Sequence, residues 1–162
     1  MIAPFKFSSH SQILFGAGAL EKNKEIIAQM GKRVLVLAGK HFIDSPAGER
    51  LTYFLGQNTQ YNSWETISGE PTVESLDTLS TDFAEKGIEV IVAIGGGSVI
   101  DTGKALSAMI PLKGESIQNY LEEVGGKKHP GSKVPFIAIP TTAGTGAEMT
   151  KNAVISRPSP QG

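Results

Sequence analysis

The stretch from Val90 to Lys104 constrains the fold of this chain more than any other. Val90 to Ile94 is an unbroken, largely β-branched apolar run, the pattern of a strand buried on both faces. It stops at Gly95, Gly96 and Gly97, and a helix-like segment begins at Ser98. Strand, glycine turn and helix start together make an anion site. Glycine lets the backbone approach a phosphate closely, and a helix N-terminus offers unpaired N–H groups and a positive dipole end. A phosphorylated ligand, first of all a nucleotide, is expected here. A plainer reading uses the same residues as a tight turn. In it, Ser98 and Asp101 form a capping box that would stabilise any helix start. Consecutive glycines exceed what a turn requires, since each adds unfolded-chain entropy.

A chain of 162 residues is long enough for one domain with its own core and short for two. Its formal charge of −1 gives no reason to expect nucleic acid or a membrane surface as a partner. The absence of cysteine excludes disulfides, thiolate metal sites and a cysteine nucleophile, and fits a reducing compartment. Met1 to Lys6 lacks a basic segment followed by an apolar stretch, and no apolar run approaches membrane-spanning length. A soluble, cytoplasmic protein is expected.

The remaining pattern alternates strands with helices. Phe5 to Phe7 and Ile13 to Phe15 read as a short N-terminal β-hairpin. Leu20 to Met30 reads as a helix stopped by Gly31. Arg33 to Ala38 is a second buried strand. Ser45 and Pro46 open a helix with Leu51, Phe54 and Leu55 inward. Tyr61 to Ile67 alternates weakly, as a strand nearer a sheet edge does. Thr72 caps a helix whose Val73, Leu76, Leu79 and Phe83 recur at helical spacing, ending near Gly87. The helix after the glycines runs roughly to Ile110, and Ser116 to Val124 predicts a shorter one. Val134 to Ile139 reads as a further buried strand, cut off by Pro140. The expected class is α/β, a Rossmann-like, mostly parallel sheet flanked by helices, over residues 1–156 with a flexible tail at 157–162.

A second motif follows that last strand. At the carboxyl end of a parallel strand, where open α/β sheets bind ligands, stand Thr141, Thr142 and Thr145 with Gly144 and Gly146. The hydroxyls can donate to phosphate, ribose or base; alternatively they satisfy the backbone of their own turn.

The two motifs together, Gly95 to Ser98 with Asp101, Lys104 and Ala105, then Pro140 to Gly146 with Glu148, resemble the iron-containing (group III) alcohol dehydrogenase family in order and separation. The likeness extends to Phe15, Gly16 and Gly18 to Leu20, and to Gly69 to Thr72, and runs to about Ile155. Maleylacetate reductases share the ending Glu148 to Thr150 and stay in contention. The resemblance implies that residues 1–156 bind a dinucleotide, NADP or NAD. Gly95, Gly96, Gly97 and Ser98 would hold its pyrophosphate. Thr141, Thr142 and Thr145 would line the adenine and ribose side, with Asp101 close to the nicotinamide. Lys104 lies one helical turn after Asp101, a spacing that serves an ion pair as well as a ligand contact.

Gly39 marks a departure. Many NAD-preferring relatives carry an Asp at this corner, which bonds the ribose 2′-hydroxyl and repels a 2′-phosphate. Here the corner reads Ala38, Gly39, Lys40, so NADP is expected to be accepted.

Relatives continue into a helical domain that holds iron or zinc. The resemblance implies that this metal polarises the alcohol or carbonyl oxygen while the nicotinamide carries the hydride. His10, His41 and His129 are far apart and read as surface residues, so the metal is not expected to bind this chain and no catalytic residue is assigned. The chain is expected to be the cofactor-binding half of a dehydrogenase, completed by a separate metal-binding domain. The competing expectation is a stand-alone nucleotide-binding module without catalysis. Uncovered apolar surface and the N-terminal strand edge predict a homo-oligomer, a dimer first.

Overall fold

The computed structural model describes residues 12–122 and 124–156. Strands β1 (Arg33–Ala38), β2 (Tyr61–Thr66), β3 (Val90–Gly95) and β4 (Phe136–Pro140) form one parallel sheet in the order β2-β1-β3-β4. Around it lie helices α1 (Ala19–Asn23), α2 (Glu25–Met30), α3 (Lys40–Ile43), α4 (Pro46–Asn58), α5 (Val73–Ala84) and α6 (Gly97–Met109).

The unbroken apolar runs of β1 and β3 have a direct cause: central strands need an apolar side chain on both faces. Leu35, Leu37, Ile91 and Ala93 pack on one face with Leu76 and Phe83 of α5 and Val99 and Leu106 of α6. Val34, Val36, Val90, Val92 and Ile94 pack on the other with Ile27 of α2 and Leu51 and Leu55 of α4. Full burial of each such side chain contributes about 1.5–3 kcal/mol. The two layers therefore hold the sheet from both sides.

The helix starts are written locally. Ser45 accepts the Gly48 N–H at 3.1 Å with Pro46 in the first turn of α4. Thr72 and Ser75 form a reciprocal capping box at α5, with bonds of 3.0 and 3.2 Å.

Four expectations need correction. The helix over 20–30 is divided at Lys24, where the backbone stays helical but Ile27 N–H bonds Lys24 O in a tightened turn. The segment after Ser116 makes only the 3-10 turn Ile117–Tyr120, because the Asp77 carboxylate takes the Ile117 N–H at 2.8 Å and the Ser116 hydroxyl at 2.5 Å. That ties the segment to α5 instead of letting a helix propagate. The last strand starts at Phe136, since Val134 exchanges bonds with Ser107 of α6 rather than with the ladder. It is also half-buried, being the sheet edge opposite β2. Ile13 to Phe15 is irregular and exposed, not a strand; Phe5 to Phe7 and residues 157–162 lie outside the described residues.

The connection from β1 to β2 runs through α3 and α4 on one face. Those from β2 to β3 and from β3 to β4 run through α5 and α6 on the other. The chain thus reverses its progress across the sheet between β1 and β3, the place where open sheets form a ligand crevice beyond the carboxyl ends. Among the described residues, no helix is long and apolar enough to cross a membrane.

Candidate functional site

Three chain segments meet at that carboxyl edge. Gly39, which follows β1 and is the N-cap of α3, donates its N–H to Ile94 O at 3.3 Å. Gly95 O accepts the Thr141 N–H at 2.9 Å, and Gly95 pairs with Pro140 in register. Backbone bonds therefore join Gly39, the glycine turn and the start of the threonine loop side by side.

Gly96 is the N-cap of α6, in an extended conformation with φ −79° and ψ −172°, and no side chain caps the helix. The first intrahelical bond runs from Ile100 N–H to Gly96 O. The N–H groups of Gly97, Ser98 and Val99 precede it and stand as helix-start donors. Ser98 is the second residue of α6, not its cap, so the capping box with Asp101 is not formed. The helix begins earlier than that reading requires, because Gly97 is already its first residue.

The threonine loop closes over this start. A Cβ on Gly96 would lie 3.4 Å from Thr142 Oγ1, and one on Gly97 would lie 3.3 Å from Thr145 Cγ2. Thr141, Thr142 and Thr145 are solvent-exposed, whereas Gly96, Gly97 and Ser98 are partly covered. Thr145 Oγ1 accepts the Ala147 N–H at 3.4 Å, so this hydroxyl also serves its own turn. The result is a narrow floor of backbone donors flanked by hydroxyls, groups with the chemistry to receive an anion.

Asp101 and Lys104 of α6 pair at 2.7 Å. Asp101 is 7% exposed, and its Oδ2 accepts the Val154 N–H at 3.1 Å. Lys104 Nζ donates to Ala147 O and Thr150 Oγ1, each at 3.0 Å, and to Asn152 O. The ion pair is the form the structure adopts. Sequence reasoning missed its attachment to residues 147–154, which lie too far along the chain for any local spacing to reveal. The same segment ends on the other side of the crevice, where Ser156 N–H bonds Pro71 O at 2.8 Å.

The histidines are not brought together. His41 is exposed on α3. His129 is half-buried rather than a surface residue: Nε2 lies 3.0 Å from Ala108 O, Nδ1 accepts the Gly131 N–H at 3.0 Å, and the ring meets Tyr120 edge-on. These bonds dock its loop on the end of α6. His10 lies outside the described residues. Among the described residues, no three His, Cys, Asp or Glu side chains gather as a metal site.

A sequence profile described as iron-containing alcohol dehydrogenase matches residues 10–161. An alcohol dehydrogenase of Thermococcus barophilus is 30% identical over 155 residues, covering 93% of this chain and 41% of that protein. A mitochondrial hydroxyacid-oxoacid transhydrogenase of Caenorhabditis elegans is 34% identical over 157 residues, covering 91% and 33% respectively. Among solved structures, sulfoacetaldehyde reductase from Bifidobacterium kashiwanohense in complex with NAD+ superposes with a TM-score of 0.75. It shares 30% identity over 91% of this chain and 39% of that one. The chain spans about two-fifths or less of the length of these relatives.

Proposed function

Since this chain belongs to the iron-containing alcohol dehydrogenase family, we propose that it is the part of such an enzyme that binds and orients NAD or NADP. The enzyme's reaction is hydride transfer between nicotinamide and an alcohol or aldehyde, and the bound dinucleotide supplies the hydride carrier. The observation that carries this reading is the uncapped start of α6 at the β1/β3 switch point, with Thr142 and Thr145 closed over Gly96 and Gly97. A pyrophosphate fits there: the N–H groups of Gly97, Ser98 and Val99 supply donors, and the glycines leave room for close approach. Thr141, Thr142 and Thr145 offer hydroxyls to the adenosine side, and Gly39 opens the corner where the 2′ position of that ribose would lie.

The iron of the family finds no ligand group among the described residues, so no step is assigned to a metal on this chain. The chain's own contribution is to bind the dinucleotide, to fix its pyrophosphate and to shield one side of it from water.

The corner residues Ala38, Gly39 and Lys40 support acceptance of NADP, because no carboxylate stands there to repel a 2′-phosphate and Lys40 is exposed beside it. Calorimetric titration with NADH and NADPH tests both parts. NADPH is expected to bind at least as tightly as NADH, and Lys40→Ala to weaken NADPH by a factor of roughly three to ten while sparing NADH. NADH binding tenfold tighter than NADPH overturns the NADP reading; no binding of either overturns the cofactor reading.

Self-association and a cytoplasmic setting complete the proposal. The exposure of Ile13, Leu14 and Phe15 supports the first and the cysteine-free composition the second. Light scattering at high concentration is expected to give a dimer, and a clean monomer contradicts it.

A further inference from the structure

We infer that Lys104, held in its buried pair with Asp101, is the clamp that seats the Thr141–Thr145 loop over the start of α6, so that Lys104 is a positioning residue for the dinucleotide rather than a contact to it. This rests on the cofactor reading of the site.

The chemistry of the lysine comes first. Its ammonium has three N–H donors and no acceptor. All three are taken, by Ala147 O at 3.0 Å, Thr150 Oγ1 at 3.0 Å and Asn152 O. Asp101 Oδ1 approaches at 2.7 Å as a fourth, ionic partner, so the acceptors around the ammonium outnumber its N–H groups. The other oxygen, Oδ2, holds the Val154 N–H at 3.1 Å. Both side chains are close to nine-tenths buried, at 11% exposure for Lys104 and 10% for Asp101. A lysine in this state has no donor left for a phosphate or a ribose. What the pair does hold is the chain that leaves the threonine loop.

The loop itself needs holding. It is pinned at its start by the bond from Thr141 N–H to Gly95 O at 2.9 Å, and at its end by the bond from Lys104 to Ala147 O at 3.0 Å. Between these pins Gly144 and Gly146 have φ of +128° and +61°, conformations that glycine enters and leaves easily. Thr142 and Thr145 are exposed, and Thr145 is tied to the N–H of buried Ala147, the residue whose carbonyl Lys104 holds. Their place over Gly96 and Gly97 therefore depends on Thr141 at one end and on Ala147 at the other. Loss of Lys104 leaves Asp101 as an uncompensated buried charge and frees the second pin together.

The test is a double-mutant cycle read in dinucleotide affinity. NADPH and NADH are titrated calorimetrically into the chain, into Lys104→Met, into Thr142→Ala and into the double variant. Lys104→Met is expected to weaken binding about tenfold, and Thr142→Ala to weaken the parent several-fold. In the Lys104→Met background, Thr142→Ala is expected to change affinity by less than about twofold, because the hydroxyl is no longer held in place. Should Lys104→Met fail to fold by circular dichroism, Thr150→Val removes one anchor at an exposed position, with a smaller loss of the same non-additive kind expected. A merely structural pair would lower the melting temperature while leaving the affinity of the folded chain unchanged, or would leave the Thr142→Ala loss fully additive. Either result overturns the clamp and spares the cofactor reading. Absence of binding by the unaltered chain overturns that reading and the clamp with it.

Discussion

A Cβ built on Gly95 would lie 2.5 Å from Val99 Cγ2, while one on Gly96 would only touch Thr142, at 3.4 Å. Val99 is β-branched within a helix and has essentially one rotamer available, so it cannot swing aside. Gly95 is thus demanded by the turn of β3 into α6. Gly96 has a backbone conformation open to any residue, so what asks for glycine there is the space left beneath the threonines. The two positions separate stability from binding. Gly95→Ala is expected to cost about 1–3 kcal/mol by urea denaturation, from overpacking. Gly96→Ala is expected to cost about 1 kcal/mol or less, the difference between these residues at an N-cap, yet to weaken NADPH about tenfold by crowding the anion floor. Equal losses of stability and of affinity at both positions contradict this division. The strand, glycine turn and helix start were legible in residues 90–104. The division of labour between Gly95 and Gly96 was not, because it is decided by the Val99 rotamer and by threonines contributed from a different strand.

At the scale of the element, α6 opens the proposed anion site, packs on the sheet and anchors residues 147–154. Its closeness to the sheet depends on Gly103. A Cβ there would meet Phe136 Cε2 at 2.6 Å and the Ala93 Cβ at 2.9 Å. Gly103→Val is expected to destabilise the fold by about 1–3 kcal/mol, seen as a lowered melting temperature. An unchanged melting temperature would show that α6 can retreat from β3 and β4 without loss. The elements legible in the sequence are those with local determinants. Strands β1 and β3 carry apolar runs, α4 opens with Ser45 and Pro46, and α5 opens with Thr72. The ones misread depend on distant partners. Asp77 holds residues 116 and 117 in a short turn, and Ser107 holds Val134 off the ladder. No spacing rule reaches across those distances.

For the whole molecule, the strand order β2-β1-β3-β4 puts Gly39, Gly96 and Thr141 on one rim although they are distant in sequence. The segment to Ser156 then returns across α6 to the loop before α5, through the bridge between Thr72 and Ser156. The fold thereby gathers the two motifs the sequence carries and adds a brace that the sequence does not advertise. Amide NMR on the chain titrated with NADPH tests the central claim most directly. The shifts are expected to concentrate on Gly39, on Gly96 to Ser98 and on Thr141 to Thr145. Saturating NADPH that shifts none of these, or shifts instead the shallow hollow of Lys24, Arg50, Tyr53 and Phe54 on the far side of α4, would contradict it.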